Sequence, residues 1–235
     1  TQRSASTRSK TNSVYDKGAD RLDFCQHLPS DADFDERLPH GDPGAVSAAV
    51  KTALDTCADN NVTCLMLAAR GGSYAIVKTL IALRADVFVR SQKGCTALAM
   101  AAENARTVKG AYECVALLLN QAMNEELAGE SIVPGDASSG PRTLSALINM
   151  TDEYGCTPLM LASQYGDFPT VTMLVQANAN VTATSTDRMD ALMMAARDGR
   201  GRTAELLIKN DADINERNIP GSTALVLASA YGPTE

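Results

Sequence analysis

Thr63-Cys64-Leu65-Met66-Leu67-Ala68-Ala69 returns 33 residues later as Thr96-Ala97-Leu98-Ala99-Met100-Ala101-Ala102. The same frame recurs as Thr157-Pro158-Leu159-Met160-Leu161-Ala162-Ser163, as Asp190-Ala191-Leu192-Met193-Met194-Ala195-Ala196, and as Thr223-Ala224-Leu225-Val226-Leu227-Ala228-Ser229. The last three boxes start 33 residues apart, and the one irregular step, Thr96 to Thr157, spans 61. A fixed period of this size is the mark of a stacked repeat architecture.

Each box has a physical reading. The leading Thr, or Asp190, can accept a hydrogen bond from a free backbone N–H in the first turn of a helix. Pro158 suits the first helical position, where no N–H is needed. The small Ala pair lets helices stack closely, and Leu fills the space between layers. Val77, Leu80 and Ile81 then show the apolar spacing of a second helix. Gly94, Gly155 and Gly221 stand two residues before their boxes, where a tight turn calls for positive φ. Asn61 and Arg188 take that place in the first and fourth boxes, and Arg188 predicts a strained or altered turn.

These residues resemble the ankyrin repeat, with its Thr-Pro-Leu-His-x-Ala-Ala box, over about residues 58–235. Gly72, Gly166 and Gly199 match the turn between paired helices. Val115-x-x-Leu118-Leu119 and Val171-x-x-Leu174-Val175 match the second helix, and Ala85-Asp86-Val87, Ala179-Asn180-Val181 and Ala212-Asp213-Ile214-Asn215 the exit. The resemblance implies an all-α solenoid of stacked helix-turn-helix units with β-hairpin-like finger loops. One departure is systematic: Met66, Ala99, Met160, Met193 and Val226 stand where the family has His. The bonds of that His must be replaced by packing.

The segments outside the period read differently. Residues 1–20 are basic and rich in Ser and Thr without apolar period, as in a disordered tail. Residues 21–57 hold Gly41-Asp42-Pro43-Gly44-Ala45-Val46, which loosely matches half a repeat and suggests a degenerate N-terminal cap. About five extra residues fall within Glu103–Ala111, and about 23 within Met123–Leu144. The second insertion, with Glu125, Glu126, Pro134, Gly135, Gly140 and Pro141, reads as a tolerated surface loop with a helical turn near Asn124–Ala128. Residues 125–142 therefore look dispensable. The fifth repeat runs only through its first helix, leaving an expected apolar face at Leu225 and Leu227.

Composition narrows the function. A net charge of −7 disfavours nucleic acid as partner, and no apolar run is long enough to span a bilayer. The six cysteines, Cys25, Cys57, Cys64, Cys95, Cys114 and Cys156, form no Cys-x-x-Cys pair. They read as free thiols of a reducing compartment, which points to the cytoplasm. With His27 and His40 as the only histidines, no metal site and no cofactor site are expected. Gly135-Asp136-Ala137-Ser138-Ser139-Gly140-Pro141 resembles a serine-protease motif but has Ala137 at the nucleophile position. The sequons at Asn61, Asn149 and Asn180 read as chance occurrences. No catalytic set emerges.

The resemblance implies binding of a protein partner by the concave face and finger tips. Carried over by motif, the candidate contact residues are Asp59, Asn60, Arg70, Lys93, Glu103, Asn104, Glu153, Tyr154, Gln164, Tyr165, Asp187, Arg197, Asp198 and Tyr231. Val62, Gln92, Cys95, Cys156, Thr186, Met189, Ile219 and Ser222 fall at neighbouring finger positions. Tyr154, Tyr165 and Tyr231 stand out as aromatic anchors with polar tips. The expected role is a non-catalytic adaptor or scaffold. The alternatives are the targeting or regulatory arm of a larger enzyme, such as a protein kinase with C-terminal ankyrin repeats, and a structural array linking membrane proteins to cytoskeleton.

Overall fold

The computed structural model describes residues 60–127 and 142–232. The tail, the cap at 21–57, Asp59, Cys25, Cys57, both histidines, the protease-like stretch and the core of the second insertion lie outside the described residues.

Helices pair as the period requires. The inner helices are α1 (Cys64–Arg70), α3 (Ala97–Asn104), α6 (Pro158–Tyr165), α8 (Ala191–Arg197) and α10 (Ala224–Tyr231). The outer partners are α2 (Tyr74–Ala82), α4 (Ala111–Leu127), α7 (Phe168–Gln176) and α9 (Gly201–Lys209), and a short α5 (Leu144–Asn149) follows α4. Each inner helix packs against the next, α1 on α3, α3 on α6, α6 on α8, and α8 on α10.

The box residues start these helices as expected. The hydroxyls of Thr63, Thr96 and Thr157 accept from the N–H three residues on at 3.2, 3.2 and 3.3 Å. The Asp190 carboxylate does so at 2.7 Å. Burial pushes the Asp190 carboxyl above its usual range, against the pull of that Met193 N–H. Thr223 departs from the pattern and makes no side-chain cap bond.

The core is a seam between layers. Leu65, Leu98, Leu159 and Leu192 are each at most 2% exposed. At the position of the family His, Met66, Ala99, Met160 and Met193 are also buried. Unbranched Met side chains fill the irregular space that a hydrogen-bonded ring would otherwise take. The last layer differs: Leu225 is 79% exposed, whereas Leu227 is buried against the array. The expectation that Leu227 shares the open face is therefore corrected. Helical geometry separates the two residues by about 200°, so they face opposite ways.

The described flanks of the second insertion are more structural than their composition suggested. Helix α4 runs on to Leu127, and the chain re-enters at Arg142. Arg142 donates to both oxygens of Asp86 at 2.6 and 2.7 Å, lies 3.7 Å from Glu125, and stacks over the Phe88 ring at 4.9 Å. Burial works against this guanidinium's charge, but Asp86 and Glu125 outweigh it and raise its pKa above the ordinary value. Glu126 accepts from the Leu144 N–H at 2.9 Å, and the Thr143 hydroxyl caps α5 by accepting from Ala146 at 3.1 Å. The flanks of the insertion thus close back onto the exit of the first repeat.

Three outcomes follow. Leu174 is fully buried in α7, so Leu174→Ala is expected to cost about 2–5 kcal/mol in chemical denaturation. Deleting 125–142 removes Glu125, Glu126 and Arg142 together, so it is expected to lower the melting temperature. Arg142→Ala alone, which takes the guanidinium from Asp86 and leaves that carboxylate the Phe88 N–H at 2.8 Å, should cost about 3 kcal/mol. A melting curve unchanged by Arg142→Ala would show that the clamp contributes nothing.

Candidate functional site

The fingers form one hydrogen-bonded row. Within each, an N–H and a carbonyl close a tight turn: Ser91 N–H donates to Cys95, Asp152 to Cys156, Ser185 to Met189 and Asn218 to Ser222, at 2.9–3.1 Å. The same four residues also pin the turn from their side chains. The Ser91 and Ser185 hydroxyls each accept from the N–H four residues on at 3.1 Å, and Asp152 and Asn218 do so at 2.8 Å. Ser91, Asp152 and Asn218 are buried in this task. The sequence reading missed this position, because Ser, Asp, Ser and Asn share only a short side chain with an acceptor oxygen.

Successive fingers are joined backbone to backbone. Gln92 N–H donates to the Asn60 carbonyl, Glu153 to Lys93, Thr186 to Tyr154 and Ile219 to Asp187, at 2.8–3.1 Å. The fingers are hairpin-like in this sense, without a strand among the described residues. The turn before each box has positive φ throughout: Asn61 54°, Gly94 73°, Gly155 74°, Arg188 56° and Gly221 85°. Asn61 and Arg188 therefore hold the left-handed conformation their place predicts. Arg188 meets Glu216 at 2.6 Å, and the Asn61 amide donates to the Arg90 carbonyl at 2.6 Å.

The candidate contact residues divide between the finger tips and the ends of the inner helices. Asn60, Lys93, Glu153 and Asp187 are exposed on the fingers, and Lys93 and Glu153 lie 3.7 Å apart across two of them. Tyr154 is half-buried beside them. At the inner-helix ends Arg70 and Tyr231 are exposed, while Glu103, Asn104, Gln164, Tyr165, Arg197 and Asp198 are half-buried. Arg197 pairs with Asp198 at 3.3 Å, and the Asn104 amide donates to the Met100 carbonyl at 3.1 Å. Burial raises the Glu103 pKa, partly offset by the Arg70 charge. Tyr165 does not point freely outward as its motif position suggested, because half of it is packed. Cys156 and Met189 are corrected more strongly: both are buried and can offer a partner no side chain.

Among the described residues Cys95, Cys114 and Cys156 are thiols outside any disulfide. Burial, with Asp152 nearby, pushes Cys95 up to about 11 and Cys156 to about 12. Burial with Glu113 nearby pushes Cys114 to about 11. Thiols held this high are poor nucleophiles at neutral pH. The sequon residues are occupied as well, since the Asn149 side-chain oxygen accepts from the Asn180 N–H at 2.8 Å and Asn180 holds Thr182. No helix of the described residues is long and apolar enough to cross a membrane.

Comparison with known proteins agrees with this geometry. A family model described as ankyrin repeats (3 copies) matches residues 39–128, and an ankyrin repeat model matches 154–186 and 187–219. The first match begins within the segment read as a degenerate cap. An Arabidopsis thaliana protein, E3 ubiquitin-protein ligase XBAT33, is 36% identical over 92 residues, covering 37% of this chain and 18% of that protein. Ankyrin repeat domain-containing protein 63 of Mus musculus is 35% identical over 91 residues, covering 37% of this chain and 23% of its own length. Transient receptor potential cation channel subfamily A member 1 of Homo sapiens is 33% identical over 92 residues, 38% of this chain and 8% of the channel. The chain thus spans less than a quarter of each of these relatives.

The finger row yields a paired test. A Cβ at Gly155 would lie 3.0 Å from the Thr186 nitrogen and 3.2 Å from Ser185 Cα, whereas one at Gly221 meets nothing within 4 Å. Gly221→Ala is therefore expected to cost about 1 kcal/mol, the left-handed penalty alone. Gly155→Ala should cost clearly more, because it also pushes the next finger away. Equal losses in urea unfolding would mean that the fingers are not tightly joined.

Proposed function

Because the chain belongs to the ankyrin-repeat family, we propose that it is a non-catalytic protein-binding module, an adaptor or scaffold whose finger tips and concave inner-helix ends hold a protein partner. Fold alone does not assign a partner. The observation that carries this reading is the division of labour within the fingers. Their backbones are tied to one another and their buried Ser, Asp and Asn side chains hold the turns. Asn60, Lys93, Glu153 and Asp187 are left exposed on a row that is already rigid. A pre-ordered surface loses little entropy on binding. The Lys93–Glu153 pair is solvent-exposed, contributes little to stability, and is free to re-pair with a partner.

A second reading has support from the relatives. The similar region makes up 18% of a ubiquitin ligase and 8% of an ion channel. Such repeats are therefore carried within larger proteins of unlike activity, and this array can equally serve as the targeting arm of an enzyme. In either case the array itself binds and does not catalyse. The free thiols support a cytoplasmic setting.

The test is capture on the immobilised chain, with the retained protein identified and its affinity measured. Lys93→Ala/Glu153→Ala/Asp187→Ala is expected to weaken that partner at least about tenfold, or 1.4 kcal/mol. Lys78→Ala/Glu113→Ala/Glu205→Ala, on exposed positions of α2, α4 and α9, should leave affinity unchanged. Loss confined to the second variant would move the site to the outer helices and overturn the assignment.

A further inference from the structure

Two arginines from flanking repeats meet over the end of α6. Arg106 comes from the extra residues between α3 and α4, and its Nη1 donates to the Tyr165 carbonyl at 3.1 Å. Arg200 comes from the turn before α9, and its Nε donates to the Gln164 carbonyl at 3.4 Å. The Arg200 side chain crosses Gly166, where a Cβ would run into its methylenes and lie 2.8 Å from its Nε. Gly166 has φ 73° and caps α6, so its missing side chain both ends the helix and gives Arg200 its path. The second, third and fourth repeats thus each contribute to one spot.

That spot carries positive charge that no ion pair among the described residues closes. The carboxylate nearest Arg200 in effect is Asp198, which is already paired with Arg197 through two bonds of 3.3 and 3.4 Å. Among the described residues neither Arg106 nor Arg200 has an ion-pair partner. Partial burial and the Arg106 charge both lower the Arg200 pKa, so the two guanidiniums repel across this gap. Arg202, two residues on, stacks 4.7 Å over the Phe168 ring at the start of α7. A guanidinium offers five N–H donors, and Arg106 and Arg200 each direct one at a helix-end carbonyl. Each guanidinium keeps further N–H donors beyond that one bond, and paired guanidinium donors suit a carboxylate.

We propose that Arg106 and Arg200 form a binding site for carboxylates of an acidic peptide segment, at the interhelix edge and apart from the finger row. A bridging carboxylate offsets the repulsion between the two cations. The net charge of −7 disfavours long polyanions such as nucleic acid, and a short acidic stretch held at the two arginines meets less of that repulsion. This site does not depend on the finger-row assignment.

The test is fluorescence anisotropy of a labelled hexaglutamate peptide titrated with the full chain in low-salt buffer. Saturable binding is expected, weakened at least tenfold by Arg106→Gln and by Arg200→Gln. Arg217→Gln, an equal charge change on an exposed residue of the last repeat, should leave it intact, as should the finger triple variant. Arg106→Lys separates fork from charge and should retain only part of the affinity. Circular dichroism melting of each variant identifies any that unfold; for an unfolded one, screening of wild-type binding by inorganic phosphate replaces it, with displacement expected. Absence of saturable binding, equal loss with Arg217→Gln, or binding of phosphate without peptide would overturn the proposal.

Discussion

Everything in this structure depends on the burial of one inner helix by the next. A single repeat has an apolar face on each side of its inner helix and can cover neither alone. The box leucines record this directly: Leu65, Leu98, Leu159 and Leu192 are sealed by the following layer, and Leu225, with no described layer after it, is 79% exposed. The residue type is the same in all five cases. Its burial is set by position in the stack, so the stabilising contact belongs to the interface between repeats.

This constraint explains the sequence chemistry around it. The layers can approach only where the side chains between them are small, hence Ala69, Ala101, Ala102 and Ala195 at 0% exposure. Where the family places His, the first four boxes place Met or Ala and bury them, and the polar work passes to the fingers. There the carbonyl of one tip accepts from the N–H of the next, and a buried Ser, Asp or Asn satisfies the turn behind it. The fingers therefore repeat the logic of the helices with hydrogen bonds in place of apolar area. A side chain on the outside of such a row is held in place without having to hold anything itself, which is the property a recognition surface needs.

The repeating part of this fold was legible because each of its demands selects a narrow residue class. A helix start needs a short acceptor, so Thr63, Thr96, Thr157 and Asp190 announce it. A turn at positive φ admits Gly or Asn readily, and the fixed period located Arg188 there despite its unfavourable side chain. What the sequence hid was non-periodic or long-range. Arg142 reaches Asp86 across 56 positions, and neither residue advertises the other. Arg106 and Arg200 meet only because a third repeat lies between them. The finger acceptors vary in type, and their common role emerges only once the turn is seen. Tyr165, Cys156 and Met189 were misplaced for a related reason. Motif position gives the direction of a backbone site, but neighbouring layers decide how much of its side chain remains in water.

If nearest-neighbour burial is the governing interaction, protection from solvent should follow position in the stack and not helix length or composition. Native-state hydrogen exchange on the full chain reads this directly. The eight-residue helices α6 and α10 have the same length and closely similar boxes, and they differ in having two described layers against them or one. Amides of Leu161 and Ala162 in α6 should exchange only by the largest opening of the array, while those of Leu227 and Ala228 in α10 exchange by fraying far more easily. Equal protection in the two helices would contradict the account, since it would place the stability within each repeat and not between repeats.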